Sequence, residues 1–332
     1  MSGKTLRIGV IGTGGIARNR HIPGYQRLDD VEIVALCDIA PGLAAKVGAE
    51  IGVEKTFTDA REMFAKVEMD AVSVCTPNIA HKEMTLLALD AGCHVLCEKP
   101  IAMDAAQARQ IQAVREETGR VTIEAFAYRF NPVIERVFQI ARSGVLGKLC
   151  FIHSCVTFRL DPLDPANVRL MASIGGGALY DVGCYAINVQ RMVAGREPVS
   201  AWATMNWSEP FDVDLSGSAM LDFGEGLRGT LTWGFETGHG EPLSISGTEG
   251  RLVAPLGWNP PKGRPALLLE ADGGIQEIEI AHVDDYMGEV QDLSEATRGL
   301  REPVYAWEPL DANMRVIDAC YRSHRTRREE SI

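Results

Sequence analysis

From Leu6 to about Ala125 the chain alternates short apolar runs with longer stretches in which apolar residues recur at helical spacing. The runs are Leu6 to Ile11, Val31 to Cys37, Ala71 to Cys75, His94 to Cys97 and Val121 to Ala125. Nearly continuous apolar runs suit strands covered on both faces, and their alternation with helices predicts a parallel doubly wound sheet. Gly15 to Leu28, Ala80 to Ala91 and Asp104 to Thr118 carry the helical spacing, and the last two stop at Gly92 and Gly119.

After Pro132 the pattern changes. One helix runs to about Ser143, a strand spans about Leu149 to Phe158, and a long helix covers about Gly177 to Ala194. Strict alternation comes next in Val199-Ala201-Ala203-Met205-Trp207 and again in Leu215-Gly217-Ala219-Leu221-Phe223, with Gly, Asp and Pro turns between runs. Period-two patterns of this kind predict an antiparallel sheet with one face packed and one open. Leu310 to His324 is helical again. The expected fold class is an α/β Rossmann-like doubly wound parallel sheet (residues 1–125), followed by an α+β domain (126–332) with a large, mostly antiparallel open sheet. The C-terminal helix is free to pack back on the first domain.

Composition narrows the function classes. The chain has 332 residues, 46% of them hydrophobic and 23% charged, enough for two domains with separate cores. A net charge of -12 disfavours nucleic acid and anionic membrane, which require basic surfaces. The eight cysteines are scattered without CxxC pairs, and the seven histidines lack metal-ligand spacing, so neither disulfides nor a metal site is expected. The first strand begins near Leu6 and no apolar run reaches the length of a membrane span, so the expectation is a cytoplasmic protein with free thiols.

Candidate chemistry begins at Gly12-Thr13-Gly14-Gly15-Ile16-Ala17, which matches GxGxx(G/A). Such a pattern is weak alone. Here it follows an apolar strand and opens a helix, where glycines permit a tight turn and the close approach of a pyrophosphate to main-chain amides. Gly12, Gly14, Gly15 and Ile16 are therefore candidate cofactor contacts. Asp38 ends the second strand, where a carboxylate can accept from an adenosine ribose diol and disfavours a 2′-phosphate; Ile39-Ala40 supplies no arginine to offset it. NAD is expected over NADP. The alternative is that Asp38 only caps the next helix.

Thr76, Pro77 and Asn78 follow the strand Ala71 to Cys75 and so lie at the same edge of the sheet, in reach of a cofactor. His81 stands there too, either as a cofactor contact or as an ordinary residue of the helix start. Glu98-Lys99-Pro100 follows the run His94 to Cys97, which places Lys99 at the crevice end of a parallel strand, aimed by a stiff turn.

Gly175-Gly176-Gly177 leads into a helix on which Asp181, Tyr185 and Asn188 are spaced i, i+4, i+7. On a 3.6-residue turn these fall within about 60° of one another, opposite the apolar stripe of Leu179, Val182, Ala186, Val189 and Val193. A solvated face usually carries Lys and Glu, whereas Asp, Tyr and Asn form a hydrogen-bonding set for a hydroxylated ligand. Arg129 and Arg169 suit a carboxylate or phosphate, and equally a structural ion pair; Arg169 is kept as a possible substrate contact.

With these motifs in order, the chain resembles the glucose-fructose oxidoreductase, inositol dehydrogenase and MocA-like family of NAD(P)-dependent dehydrogenases over nearly its whole length. Tyr185, Glu124-Ala125-Phe126, Tyr128-Arg129-Phe130 and Asn167-Val168-Arg169 make it similar to the branch holding xylose and dihydrodiol dehydrogenases. Asn131 departs from that branch, which often has histidine there.

The resemblance implies that Lys99, Asp181 and Tyr185 are catalytic and surround the substrate carbon and the nicotinamide; Glu98 and Lys99 are further cofactor-binding candidates, and Arg169 and Asn188 join Lys99, Asp181 and Tyr185 as substrate-binding candidates. It implies hydride transfer between nicotinamide and a sugar, polyol or related diol. Tyr185 would be the proton acceptor, its phenol brought down from about 10 by the Lys99 ammonium. An aromatic dihydrodiol dehydrogenase, a sugar oxidoreductase that retains its cofactor, and a nucleotide-bound regulator without turnover are the alternatives. A homodimer or homotetramer pairing open sheet faces is also implied, as is a freely exchanging cofactor, since no N-terminal extension precedes the first strand.

Overall fold

The computed structural model describes residues 5–257, 261, 264–281 and 283–332. It forms two compact units. The first comprises the chain to Ala127 together with Asp285–Asp311, and the second comprises Tyr128–Asp284 with Ala312–Ile332.

In the first unit, six strands are described: β1 (Leu6–Ile11), β2 (Val31–Cys37), β3 (Thr56–Phe57), β4 (Ala71–Val74), β5 (His94–Glu98) and β6 (Thr122–Ala125). All pair in parallel, in the order β3-β2-β1-β4-β5-β6. The order runs outward from β1 in both directions, so the chain switches sides between β1 and β4, which is where open parallel sheets bind ligands. The connecting helices are α1 (Ile22–Tyr25), α2 (Leu43–Ile51), α3 (Ala60–Lys66), α4 (Asn78–Asp90) and α5 (Ala105–Thr118). Asp59 and Asp104 cap α3 and α5 by accepting the N–H groups of Arg61 and Gln107, while Gly119 ends α5 in the left-handed conformation.

One expected helix differs. Gly15 to Leu28 is not a regular α-helix, because Ala17–His21 is a single wide turn in which the Ile22 N–H donates to Ala17 O, five residues back. The turn buries His21 against Ser73 of β4 and Glu98 of β5.

The second unit begins with α6 (Pro132–Arg142), capped by the Asn131 side chain, which accepts the Val133 N–H. Strand β7 (Leu149–Arg159) precedes a wide turn, Leu179–Gly183, and α7 (Cys184–Ala194). Then come β8 (Ser200–Ser208), β9 (Val213–Asp222), β10 (Arg228–Gly234), β11 (Glu236–Gly240), β12 (Leu243–Gly247), β13 (Gly250–Ala254), β14 (Leu267–Ala271) and β15 (Gly274–Ile278). Helix α8 (Asp285–Thr297) returns to the first unit, and α9 (Ala312–Thr326) with β16 (Glu330–Ser331) completes the second.

Ten strands are described in this second sheet, antiparallel except for the central β7–β10 pair. Alternation sets its faces. Ala201, Ala203, Leu221 and Leu231 are buried, while Phe151, Trp202, Met220 and Thr230 are exposed on the open face. All eight cysteines are free thiols. Among the described residues, no helix is long and apolar enough to cross a membrane and no cluster of His, Cys, Asp and Glu could hold a metal.

Candidate functional site

On the first unit, the turns after β1 and β4 are neighbours because the two strands pair, Ile11 beside Val74. Gly12 has φ +86°, and a Cβ there would lie 2.6 Å from the Cys75 carbonyl, so this position requires glycine. At Gly14 a Cβ would meet nothing within 4 Å, which leaves that side of the turn open. Thr76 Oγ1 is shielded from solvent without a protein partner among the described residues. The open turn and the orphaned hydroxyl both fit a bound dinucleotide. Pro77 is exposed at the N-cap of α4, and Asn78 is half-buried at its first position.

Asp38 holds this turn in place. Its Oδ2 accepts from Thr13 N at 2.7 Å and Thr13 Oγ1 at 3.1 Å, and its Oδ1 accepts the Ala40 N–H at 2.9 Å. It does not cap α2, whose N-cap is Gly42.

Around Lys99 the main chain is gripped from below. Glu98 is buried; its Oε1 lies 2.8 Å from His21 Nε2 and its Oε2 accepts the Lys99 N–H at 3.2 Å. Burial pushes the Glu98 carboxyl up, but the His21 hydrogen bond and the nearby charges of His21 and Lys99 outweigh it, holding the group below its ordinary value. His21 Nδ1 lies 3.2 Å from Ser73 Oγ, and the Glu289 carboxylate of α8 is 3.7 Å from Nε2. The Lys99–Pro100 peptide is cis. His81 is buried, with Nδ1 2.7 Å from Pro100 O and Nε2 2.8 Å from Thr76 O. Burial pushes its pKa down, opposed by the two carbonyls.

On the second unit the glycine run is explained by close packing within the unit. A Cβ at Gly176 would lie 2.7 Å from Arg169 O, and one at Gly177 would lie 2.6 Å from Asp214 Oδ1. Gly177 N donates to Arg169 O at 2.9 Å, which brings Arg169 over the start of the helix. There Arg169 Nε pairs with Asp181 Oδ2 at 2.6 Å, and its guanidinium lies over the Phe158 ring. Tyr185 is half-buried, edge-on to Tyr128 at 5.7 Å between centroids. Arg169 and Asp181 therefore form a half-buried ion pair, and the half-buried phenol of Tyr185 follows four residues after Asp181.

Asn188 does not join them. It is fully buried, and its Oδ1 accepts from Tyr128 OH at 2.6 Å and Arg129 Nε at 3.0 Å. The reason is the wide turn at Leu179–Gly183, where the Cys184 N–H donates to Leu179 O. One extra residue per turn rotates the remainder of the helix by about 100°, so the i, i+4, i+7 face of a regular helix does not form.

Sequence reasoning missed Asp214, which is fully buried on β9 and accepts from Trp233 Nε1 and Leu179 N at 2.8 Å each and from Tyr321 OH at 3.0 Å. It anchors the start of the wide turn. Its partners lie 19 to 107 residues away in sequence, so no local pattern announces it. Burial pushes the Asp214 carboxyl up, against its three donors. The folded protein then binds this proton more tightly than the unfolded chain does. The resulting stability is complete below the unfolded value near about 4 and is lost as pH rises through the folded one. The melting-temperature advantage of wild type over Asp214→Asn is therefore expected to shrink from pH 4 upward; a constant difference would contradict this.

Known proteins share this architecture. A family model described as an oxidoreductase family with an NAD-binding Rossmann fold matches residues 6–126, and a GFO/IDH/MocA C-terminal domain model matches residues 134–253. The chain is 30% identical over 322 residues to D-xylose 1-dehydrogenase (NADP(+)) 2 of Haloferax volcanii, covering 97% of this chain and 98% of the relative. A 3-ketoreductase from Actinomadura kijaniata, solved with NADP and TDP-benzene, superposes with TM-score 0.87 at 26% identity, covering 96% of this chain and 98% of that one. The aldose-aldose oxidoreductase from Caulobacter crescentus, complexed with glycerol, has the same fold, with TM-score 0.89 at 24% identity over 99% of this chain and 100% of the other.

Proposed function

Since the chain belongs to the GFO/IDH/MocA oxidoreductase family, we propose that it transfers a hydride between nicotinamide and a hydroxyl-bearing carbon of a sugar, polyol or related diol. The observation that carries this reading is the half-buried Arg169–Asp181 ion pair, on the same helical segment as the half-buried phenol of Tyr185. Such a set can hold vicinal hydroxyls and pass a proton.

Bound nicotinamide supplies the hydride acceptor or donor. Gly12, Gly14, Gly15 and Ile16 form the turn that would take its pyrophosphate, with Thr76, Pro77 and Asn78 beside it. In the oxidative direction the Tyr185 phenolate takes the hydroxyl proton as the carbon gives up its hydride, leaving a carbonyl. Lys99 stabilises the phenolate and orients the reacting oxygen. Asp181, held by Arg169, accepts from a neighbouring hydroxyl. Asn188 supports this region from within by fixing Tyr128 and Arg129. Assembly into a homodimer or homotetramer through the open face bearing Phe151, Trp202 and Met220 belongs to the same reading.

NAD is the proposed cofactor, although the xylose dehydrogenase is named for NADP and the 3-ketoreductase was solved with it. Support comes from Asp38, whose carboxylate is fixed at the end of β2 where a 2′-phosphate would meet like charge. The test follows reduced-nicotinamide absorbance with NAD and NADP against aldoses, inositols, anhydro-sugars and aromatic dihydrodiols. Turnover with a sugar or polyol, and kcat/KM at least about tenfold higher with NAD, is expected, since one disfavoured charge contact is worth about 1.4 kcal/mol or more. Activity with dihydrodiols alone would replace the substrate class. An equal or reversed cofactor ratio would remove Asp38 from discrimination, and binding without turnover would favour a regulator.

A further inference from the structure

Two buried histidines bracket Lys99. On its N-terminal side His21, fully buried, holds Glu98, whose other oxygen accepts the Lys99 N–H. On its C-terminal side His81, 1% exposed, holds the carbonyl of Pro100. Proline has no N–H, so its carbonyl is the main-chain group available for anchoring that residue. The second nitrogen of His81 lies against Thr76 O, which ties the same ring to the turn that carries the orphaned Thr76 hydroxyl.

A carbonyl only accepts hydrogen bonds. The neutral ring donates to one of the two carbonyls and the protonated ring to both, and in either form both nitrogens face main-chain oxygens, not a ligand. A direct cofactor contact through a His81 nitrogen is therefore not what the geometry offers. Nor does His21 reach a ligand, since its two nitrogens face Ser73 and Glu98 below the surface.

We infer that His21 and His81 are positioning residues for Lys99, a pair of clamps fixing the main chain on either side of it, with His81 also coupling that segment to the Thr76 turn. The inference rests on the reading of Lys99 as a reacting residue. A buried ring seated with one nitrogen against a carbonyl of each turn resists displacement of either, and a misplacement of about 1 Å at a reacting group costs about 10²-fold in rate.

Two measurements test it, one independent of turnover. In the full chain without substrate, competitive acetylation followed by mass spectrometry gives the rate at Lys99 relative to exposed Lys46 and Lys55. His81→Phe, which keeps ring bulk but supplies no donor, is expected to raise that ratio at least about threefold. His81→Gln, whose amide carries two N–H donors, is expected to restore it in part. An unchanged ratio in His81→Phe overturns the clamp.

The second measurement is a double-mutant cycle in kcat, with NAD and D-xylose as probe, or the most active sugar or polyol of the panel if D-xylose is not turned over. His81→Phe should lower kcat about 10- to 100-fold while KM for NAD moves less than about threefold, and should cost little further when Lys99 is already Met. Equal losses in both backgrounds would mean general structural damage and overturn the inference. Unchanged kcat in Lys99→Met alone would instead remove Lys99 from the reaction, a failure of the parent reading visible without any histidine variant. Should His81→Phe not fold, the same measurements on His21→Asn, too short to reach Glu98, decide the matter.

Discussion

Replacing Tyr185 by phenylalanine is expected to lower kcat by about 10²- to 10⁴-fold, the usual worth of a positioned acid or base, while NAD affinity stays within about threefold. The variant is clean because the Tyr185 ring packs edge-on against Tyr128, and the Tyr128 hydroxyl is itself held by Asn188. Phenylalanine keeps the ring and that packing. The loss is confined to one hydroxyl on a half-buried side chain, the group that takes the proton in the proposed reaction. Single-turnover formation of reduced nicotinamide, read beside cofactor binding by fluorescence titration, checks the split. Turnover within about threefold of wild type would exclude Tyr185 from proton transfer and leave Lys99 as the candidate base.

Gly12→Val is expected to be the most damaging substitution in the cofactor half. Its φ of +86° is closed to a β-branched residue, and the new Cβ would sit 2.6 Å from the carbonyl carbon and oxygen of Cys75 and 2.8 Å from Thr76 N. The obstacle is main chain and cannot rotate away. Strain and overpacking together cost about 3 kcal/mol or more, and relief requires the β1 and β4 turns to separate, which dismantles the cradle for the pyrophosphate. Loss of NAD binding with a melting temperature lowered by several degrees is the expected result, by titration and thermal denaturation. Gly14→Ala, where a Cβ meets no protein atom, serves as the contrast: it should leave stability nearly unchanged. A Gly12→Val protein as stable as Gly14→Ala would refute the close-approach account.

The first sheet was legible because parallel strands covered on both faces need nearly continuous apolar runs, and β1, β2, β4 and β5 each show one, while β6 carries Thr122 and Glu124 among its four residues. Glycine at Gly92 and Gly119 marked helix ends for the same reason that both have positive φ. Two-residue β3 and seven-residue α3 carry too few positions for either period to register. In the second unit, alternation gave β8 and β9 their faces. Spacing could not convey the wide turn at Leu179–Gly183, which shifts the register of the helix and sends Asn188 inward while Asp181 and Tyr185 stay half-exposed. The groups that hold the site are invisible for a different reason. His21 meets Glu98 across 77 residues, and Tyr321 meets Asp214 across 107, so their meaning exists only once the chain is folded.

The first unit is closed by residues made long after its last strand. Val290 and Leu293 of α8 pack in the same core as Leu6, Ile8 and Val10, and Glu289 lies against His21. During synthesis, the whole of Tyr128–Asp284 emerges between the last strand of this sheet and the helix that completes it. The nascent nucleotide-binding half must therefore wait, with part of its apolar surface uncovered, until residues 285–311 have been made. Cutting after residue 127 would yield a fragment lacking the cover of its own core, and any autonomous version of this half must carry residues 285–311 grafted back onto it.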